Sequence, residues 1–235
     1  MKPGVPLDHL KWLGKYIVDQ RPDVIVNLGD FSDMESLSSY DVGKKSFEGR
    51  RYRKDVDVSR RAMDLLLEPM RRTRRYSPRM VLVEGNHEHR VPRAVDADPK
   101  LEGTISIDDL QYKEAGWEVH PFLKPVQIHK VYYSHFFPSG VMGRPCTKAS
   151  KLLSTYHVSC IAGHQQGREV AYAKRGDGKT LTAIIAGSFY QHDEEYLTPF
   201  ANNCWKGVIV LHEVRDGQFD EMFVSMNYLR RKYGR

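Results

Sequence analysis

Two short apolar runs in the first half of the chain end in the same way. Val24–Leu28 leads into Gly29-Asp30, and Met80–Glu84 leads into Gly85-Asn86-His87. Apolar runs of this length with turn residues behind them are typical of buried strands, and helical segments lie between the two runs. The pattern predicts parallel strands in an α/β fold, where ligand sites gather at the carboxyl ends of the strands.

Helical periodicity surrounds these runs. Leu7–Gln20 carries an apolar stripe and stops before Arg21-Pro22-Asp23, which predicts an amphipathic helix. Residues 55–75 carry a second apolar stripe, which Pro69 would kink or shorten. Residues 40–54 are polar and basic and are predicted as a loop or insertion, so that 40–75 forms a basic insertion and helix.

The second half of the chain is richer in strand patterns. Val126–Ser134 alternates apolar and polar positions and ends at His135, whereas Lys148–Tyr156 is helical in pattern. The later strand-like segments are Val158–Ala162, Glu169–Lys174, Leu181–Ala186, Val208–Glu213 and Phe219–Val224, with hairpin turns predicted at Asp177-Gly178 and Asp216-Gly217. The 235 residues are predicted to form one domain.

The composition of the chain argues against a membrane protein and against a secreted protein. No apolar stretch approaches the roughly 18 residues of a membrane span, and no apolar segment of a signal peptide follows Met1–Gly4. The three cysteines lie far apart without a C-x-x-C pair, which disfavours a disulfide scaffold and a zinc ribbon. We therefore expect a cytoplasmic protein that has no membrane partner.

Positive charge is concentrated in clusters. The formal net charge is +6, and basic residues gather at 44–45, 50–54, 60–61, 71–75 and 230–232. Such clusters can follow a phosphate backbone if they face one way. The alternative is a solvated helix face, because acidic residues such as Asp55, Asp57 and Asp64 are interleaved with them.

Side chains able to bind a metal follow four of the predicted strands. The four stretches are Gly29-Asp30, Gly85-Asn86-His87-Glu88, Ser134-His135 and Gly163-His164-Gln165-Gln166. The carboxylate of Asp30 can bridge two cations about 3.5–4 Å apart. Together with the Asn86 amide and the imidazoles of His135 and His164 it makes a mixed oxygen and nitrogen set, which suits Mn, Fe or Zn better than Ca.

These stretches, in this order, resemble the calcineurin-like metallophosphoesterases. The pattern of that family runs Asp-x-His, Gly-Asp, Gly-Asn-His-Asp/Glu, His and Gly-His-x-His, and the resemblance covers about residues 20–190, including Ala186-Gly187-Ser188. It implies two facing mixed β-sheets flanked by helices, a four-layer sandwich with one or two divalent ions between the sheet ends. Mn²⁺ is the expected ion, with Fe, Zn, Ni or Mg as alternatives. The small, basic format is similar to members carried by phages or bacteria.

The resemblance also implies roles for individual residues. Asp30, Asn86, His135 and His164 would be the protein ligands of the second metal position. His87 would stabilise the transition state and protonate the leaving oxygen, and Glu88 is a candidate for orienting its ring. Asp33 is predicted either to cap a helix or to support the site. His192–Glu195 is predicted as an exposed loop, with a substitute ligand group as the alternative.

Two features depart from the family pattern. No strand ending in Asp-x-His precedes Asp30, since Met1–Pro6 is not a strand, and Gln166 replaces the last histidine of Gly-His-x-His. Asp30, and Gln166 through its amide oxygen, would then remain for the first metal. We expect the chain to begin just downstream of the missing strand, with an oligomer or another partner covering the gap. The alternatives are a single-metal esterase and a member that binds without cleaving.

The predicted activity is metal-dependent hydrolysis of a phosphodiester in nucleic acid or a nucleotide. Arg50, Arg51, Arg53 and Lys54 lie between two ligand-bearing strand ends and are candidates for binding the substrate. The alternatives are a catalytically silent scaffold that binds metal or nucleic acid, and a phosphomonoesterase.

Overall fold

The computed structural model describes residues 1–194 and 197–234, which fall into two compact units, Met1–Phe122 and Leu123–Arg235. The α-helices are α1 (Asp8–Gln20), α2 (Tyr52–Arg71), α3 (Arg90–Ala97), α4 (Ala149–Tyr156), α5 (Pro199–Asn202) and α6 (Met226–Tyr233). The strands are β1 (Val24–Asn27), β2 (Arg79–Val83), β3 (Glu118–His120), β4 (Val126–Ile128), β5 (Val131–Ser134), β6 (Pro138–Ser139), β7 (Arg144–Pro145), β8 (Cys160–Ala162), β9 (Arg168–Lys174), β10 (Thr180–Ala186), β11 (Gly207–Arg215) and β12 (Gln218–Ser225). None of the helices in the described ranges is long and apolar enough to cross a membrane.

The first unit contains a parallel sheet of three strands in the order β1-β2-β3. The parallel pairing of β1 with β2, predicted from the two apolar runs, is confirmed, with Val24 opposite Arg79 and Asn27 opposite Leu82. The central strand β2 is the most deeply buried, since Val81 and Leu82 have no exposed surface. The ends of β1 and β2 therefore come to the same edge of the sheet.

Helices α1 and α2 pack closely in the first unit. A Cβ atom at Gly14 of α1 would lie 2.4 Å from the Leu66 carbonyl oxygen of α2, so only glycine permits this approach. Pro69 lies inside α2, and the helix continues past it to Arg71 instead of stopping there. The apolar stripe of α2 is buried as predicted, at Ala62, Met63, Leu66, Leu67 and Met70.

The second unit is built on a mixed sheet of five strands in the order β4-β5-β8-β10-β9. Its centre is parallel, from β5 through β8 to β10, and an antiparallel strand lies at each edge. Helix α4 covers the sheet through Leu152 and Leu153, which pack in one cluster with Phe137, Cys160 and Ile185. The two predicted hairpins are confirmed, because β9 pairs with β10 and β11 pairs with β12 in antiparallel fashion.

The two units confirm the α/β class, with helices and more than one sheet. Within the described residues β1 has one neighbouring strand, β2, and so lies at the edge of its sheet. Residues 1–6 form no strand, as expected. The prediction of a single domain and that of a missing first strand stay predictions.

Candidate functional site

The loops that follow β1 and β2 are joined by a hydrogen bond between two of the predicted site residues. Oδ1 of Asp30 accepts a hydrogen bond from the backbone N–H of His87 over 3.0 Å. Asp30 has a φ of 54°, in the left-handed region that residues other than glycine seldom adopt. Asn86 lies between Gly85 and His87, on the loop that this bond joins to Asp30. The structure thus brings Asp30 and the Asn86-His87 pair together, as the strand pattern predicted.

Gly85 leaves the space that Asp30 occupies. A Cβ atom at residue 85 would lie 2.1 Å from Oδ1 of Asp30 and 2.3 Å from its backbone nitrogen. We predict that Gly85→Ala lowers the free energy of unfolding by about 1–3 kcal/mol, as overpacking typically does. Chemical denaturation would measure the change. Gly176→Ala is the control, because a Cβ atom there meets nothing within 4 Å, and an equal loss in both variants would contradict the steric account.

The buried carboxylate of Glu88 ties the two loops together. Its oxygens accept hydrogen bonds from the backbone N–H groups of Asp30 at 2.9 Å, Ser32 at 2.8 Å and Gly85 at 2.9 Å. The hydroxyl of Tyr112 donates a fourth hydrogen bond at 3.2 Å, and burial raises the pKa of Tyr112 well above its ordinary value, so that this hydroxyl keeps its proton. Glu88 therefore fixes the backbone from which Asp30 projects.

The ring of His87 is held by Asp33, whereas Glu88 makes its hydrogen bonds to other groups. Nδ1 of His87 lies 2.8 Å from Oδ1 of Asp33, and Nε2 lies 3.9 Å from Oδ2 of Asp30. Arg90 fixes Asp33 by donating to its backbone oxygen at 2.8 Å and to Oδ1 at 3.0 Å. Asp33 thus contacts the His87 ring, and its predicted support of a site stays a prediction. The short helix 35–37 begins after Met34 and has no side-chain cap.

Charge around His87 favours its protonated form. Burial alone would lower the pKa of His87, but the negative charges of Asp30 and Asp33 and the hydrogen bond to Asp33 raise it above its ordinary value. Burial would likewise raise the pKa of Asp33, but its hydrogen bond to His87 and the charges of His87 and Arg90 hold it well below the usual range. The Asp33 carboxylate, 2.8 Å from Nδ1, therefore favours a proton on that nitrogen of His87.

For the phosphodiester hydrolysis predicted from the sequence, Asp33→Asn is expected to lower turnover by about 10–100-fold while leaving the amount of bound metal unchanged. Asparagine keeps the shape of the side chain but removes the charge that orients the His87 ring, and losing such a supporting partner typically has an effect of this size. Steady-state kinetics and metal analysis on the same samples would measure both quantities. Asp108→Asn is the matched control, because the side chain of Asp108 is 64% exposed and pairs with Lys113, which has no proposed part in the site. Full activity of Asp33→Asn would show that Asp33 has no role in the reaction.

The second unit brings the two predicted histidine ligands together. Nε2 of His135 lies 3.2 Å from Nδ1 of His164, and their rings meet edge to face. His135 follows β5 and is 1% exposed. His164 comes two residues after β8, and its own φ is 64°. Two nitrogens that bind one ion at about 2.1 Å lie about 3.0–3.4 Å apart, from a right angle to the tetrahedral angle at the ion. The pair therefore has a separation compatible with binding one cation.

The types of donor predicted for the metal suit a divalent transition ion. Asp30, His135 and His164 each offer one ligand atom for a metal ion, a carboxylate oxygen or an imidazole nitrogen. Asn86 would add an amide oxygen, and this mixture of oxygen and nitrogen donors suits Mn, Fe or Zn. Gln166, the candidate for another metal position, accepts a hydrogen bond from the Tyr190 hydroxyl at 2.6 Å through its amide oxygen. That oxygen is therefore already engaged within the protein.

The four basic candidates for substrate binding differ in exposure. The side chain of Arg50 is 14% exposed and pairs with Asp41 at 2.7 Å and with Glu35 at 3.7 Å, so its charge is neutralised within the loop. Arg51, Arg53 and Lys54 lie exposed at the start of α2. Arg53 lies 4.0 Å from Asp57, but its side chain is 92% exposed, so it and the other two can still contact a ligand with negative charge.

The loop at His192 is more buried than predicted. The side chains of His192 and Glu194 are 14% and 12% exposed, and Nε2 of His192 lies 2.8 Å from Oε1 of Glu194. The expectation of an exposed loop is wrong for these two residues, because the ring of His192 packs against Tyr190 at a centroid distance of 4.7 Å. Asp193 is exposed as predicted, and Glu195 lies outside the described residues.

Two residues of this region were not predicted from the sequence. Arg90 holds Asp33 in place, and Tyr112 holds Glu88. Arg90 lies three residues after His87, so its position in the Asn-His-Glu-His-Arg stretch was an available signal. Tyr112 gave none, since 24 residues separate it from Glu88.

No family model matches this chain, and a search of curated proteins finds no match either. The resemblance to the calcineurin-like metallophosphoesterases thus rests on the short stretches at the strand ends. The geometry around Asp30, His87 and the His135–His164 pair is the basis for assigning a function. Activity, metal and substrate are therefore inferred from these residues.

Proposed function

We propose that this protein is a metal-dependent phosphoesterase that hydrolyses phosphodiester bonds in nucleic acid or nucleotides. The observation that carries the proposal is the His87–Asp33 pair, 2.8 Å apart, with Nε2 of His87 turned toward the carboxylate of Asp30 at 3.9 Å. A protonated imidazole fixed by one carboxylate beside another is suited to protonating a leaving oxygen. The chain would then belong to the calcineurin-like metallophosphoesterases and share their four-layer sandwich.

Asp30, Asn86, His135 and His164 are the proposed metal ligands, and Mn²⁺ is the expected ion. When bound, a divalent ion polarises a phosphoryl oxygen and lowers the pKa of water. Support comes from the chemistry of the donors and from the 3.2 Å separation of the two imidazole nitrogens. The carboxylate of Glu88 would keep Asp30 in place by holding its backbone N–H.

His87 is the proposed general acid. Water adds to phosphorus and gives up one proton to the solvent, the bond from phosphorus to the leaving oxygen breaks, and the proton on Nε2 of His87 passes to that oxygen. The ring then takes up a proton from the solvent. Asp33 stabilises the protonated ring and presents Nε2 to the substrate, because its own hydrogen bond is made to Nδ1. The positive charge of the ring also offsets negative charge that develops on the phosphoryl group.

The substrate class is proposed from charge. Arg51, Arg53 and Lys54 are exposed and close in sequence at the start of α2, and the whole chain carries a formal net charge of +6. Both features favour a polyanion over a small neutral ester. The cysteines in the described residues are free, in keeping with a cytoplasmic location, which we also propose.

The test is to strip the protein of metal, add back Mn²⁺, and follow hydrolysis of a chromogenic phosphodiester and of a matched phosphomonoester. The proposal expects turnover that depends on Mn²⁺ and favours the diester. Preference for the monoester would indicate a phosphomonoesterase. Salt-dependent binding of DNA with no turnover of either ester would instead indicate a scaffold that binds without cleaving.

A further inference from the structure

The guanidinium group of Arg168, at the start of β9, lies over two aromatic rings. Its central carbon is 4.6 Å from the centre of the Trp205 ring and 4.3 Å from that of the Phe223 ring, distances at which a cation is attracted to the face of an aromatic ring. The two rings meet edge to face, with 5.9 Å between their centroids. Two aromatic contacts thus restrict the charged end of an exposed side chain.

Two glycines make room for the Trp205 ring. A Cβ atom at Gly207 would lie 2.5 Å and 2.7 Å from two carbons of the indole, and one at Gly187 would lie 3.2 Å from a third. Gly187 follows directly on β10, whose last residue, Ala186, pairs with Arg168 in the sheet. The backbone on both sides therefore fixes the ring on which the Arg168 guanidinium rests.

The acidic residues closest to Arg168 along β9 and β12 are engaged with other groups. Glu169 points to the opposite face of β9, because side chains alternate along a strand, and pairs there with Lys148 at 3.7 Å. Glu221 of β12 accepts a hydrogen bond from the hydroxyl of Tyr172. Among residues 1–194 and 197–234, the Arg168 guanidinium has no hydrogen bond and no ion pair. Its N–H donors are therefore available to a ligand.

An arginine held in this way is suited to binding phosphate. A guanidinium carries five N–H donors in a planar fork, which matches two oxygens of one phosphate group. Because the aromatic contacts already restrict the Arg168 side chain, ordering it on binding costs less conformational entropy than ordering a mobile arginine. Arg168 also follows His164, a proposed metal ligand, by four residues, so that their Cα atoms lie within about 14 Å of each other.

We propose that Arg168, stacked on Trp205 and Phe223, binds a backbone phosphate of a nucleic-acid strand, next to the phosphodiester that is cleaved. This inference rests on the proposed function, because it assigns a substrate-binding residue to the same esterase. A contact with a second phosphate requires a substrate that has more than one. The contact would therefore favour an oligonucleotide over a diester with a single phosphate.

The test measures binding of a fluorescein-labelled oligothymidylate to the metal-free protein by fluorescence anisotropy, over a range of salt concentrations. We expect Arg168→Gln to weaken binding by about tenfold or more, as the loss of a charge-assisted contact does. It should also lower the slope of log K against log salt by about 0.7, the share of one phosphate on a single strand. Arg168→Lys should keep that slope, because it keeps the charge.

The matched control is Arg175→Gln. Arg175 follows the other end of β9 and pairs with Asp177 at 3.0 Å, so its loss should leave the affinity and the salt slope unchanged. If Arg168→Gln also binds with unchanged affinity and slope, the Arg168 site is overturned while the esterase stands. Lower thermal stability of Arg168→Gln with unchanged binding would assign the stack a structural role and overturn the site equally.

Trp205 supplies a second measurement on the unmodified protein. The oligothymidylate should change the tryptophan fluorescence, and the change should vanish in Trp205→Phe, since Trp12 and Trp117 are buried in the first unit. Should Arg168→Gln fail to fold, this signal decides, because an oligonucleotide that binds without changing it overturns the site. An equally tight response to inorganic phosphate alone would overturn the assignment to a strand.

The outcomes separate this inference from the function on which it rests. If the metal-free protein binds no oligothymidylate, both the Arg168 site and the nucleic-acid substrate fail. If binding depends on Arg168 but no ester is hydrolysed with Mn²⁺, the phosphate site stands and the proposed esterase fails.

Discussion

We expect His87→Ala to lower phosphodiester turnover by about 10²–10⁴-fold, the usual contribution of a general acid, while bound Mn²⁺ is retained. The substitution removes the one ring that Asp33 holds at 2.8 Å and turns toward Asp30. It leaves Asp30 hydrogen-bonded through the backbone N–H of residue 87, so the proposed ligand stays in position. Steady-state kinetics with an alkyl and an activated aryl leaving group would measure the effect. The alkyl ester should lose more, because its leaving oxygen needs the proton.

The matched control is His120→Ala. His120 also lies 2.8 Å from a carboxylate, that of Glu118, but it belongs to β3 and has no proposed part in the reaction. Its removal should leave turnover unchanged. Equal losses in the two variants, or full activity of His87→Ala, would contradict the role given to His87.

Glu88→Ala is expected to lower the free energy of unfolding by about 3–5 kcal/mol. The residue is fully buried, and its carboxylate accepts hydrogen bonds from three backbone N–H groups and from Tyr112. Removing one partner from a buried charged network leaves the remaining groups unsatisfied, which is among the largest single-residue effects known. Urea denaturation would measure the change. The free energy of unfolding of Glu88→Gln should lie between those of the unmodified protein and Glu88→Ala, because the amide oxygen can accept only part of these hydrogen bonds.

Glu118→Ala is the control for that measurement. Glu118 pairs with Arg79 at 2.7 Å, but both side chains are close to half exposed, so its loss should cost about 1 kcal/mol or less. A similar small cost for Glu88→Ala would mean that the loops after β1 and β2 are held together by other contacts.

The ends of β1 and β2 and the two hairpins could be predicted from the sequence, because each depends on a short pattern of neighbouring residues. A buried parallel strand is a continuous apolar run, so Val24–Leu28 and Met80–Glu84 predicted β1 and β2 and the shared edge at which Asp30 and Asn86 lie. The Asp-Gly turns at 177–178 and 216–217 predicted both hairpins for the same reason. Helix α3 was not predicted, because a proline such as Pro92 usually interrupts a helix. Pro92 lies in the first turn of α3, where proline is tolerated.

The partners of the site residues could not be predicted because they depend on tertiary contacts. Glu88 follows His87 directly and Asp33 belongs to the earlier stretch after β1, yet Asp33 holds the His87 ring and Glu88 holds the backbone of both loops. Arg50 belonged to a basic run, and only the folded loop pairs it with Asp41 and Glu35. The burial of His192 could not be predicted, because it depends on packing against the Tyr190 ring in the folded loop.

An anomalous difference map from crystals of the protein grown with Mn²⁺ would show directly whether Asp30, Asn86, His135 and His164 hold one divalent ion. We expect a peak within about 2.0–2.3 Å of one donor atom from each of these four residues, which are typical metal–ligand distances. A peak lacking these donors, or no peak at saturating Mn²⁺, would overturn the proposed metal site.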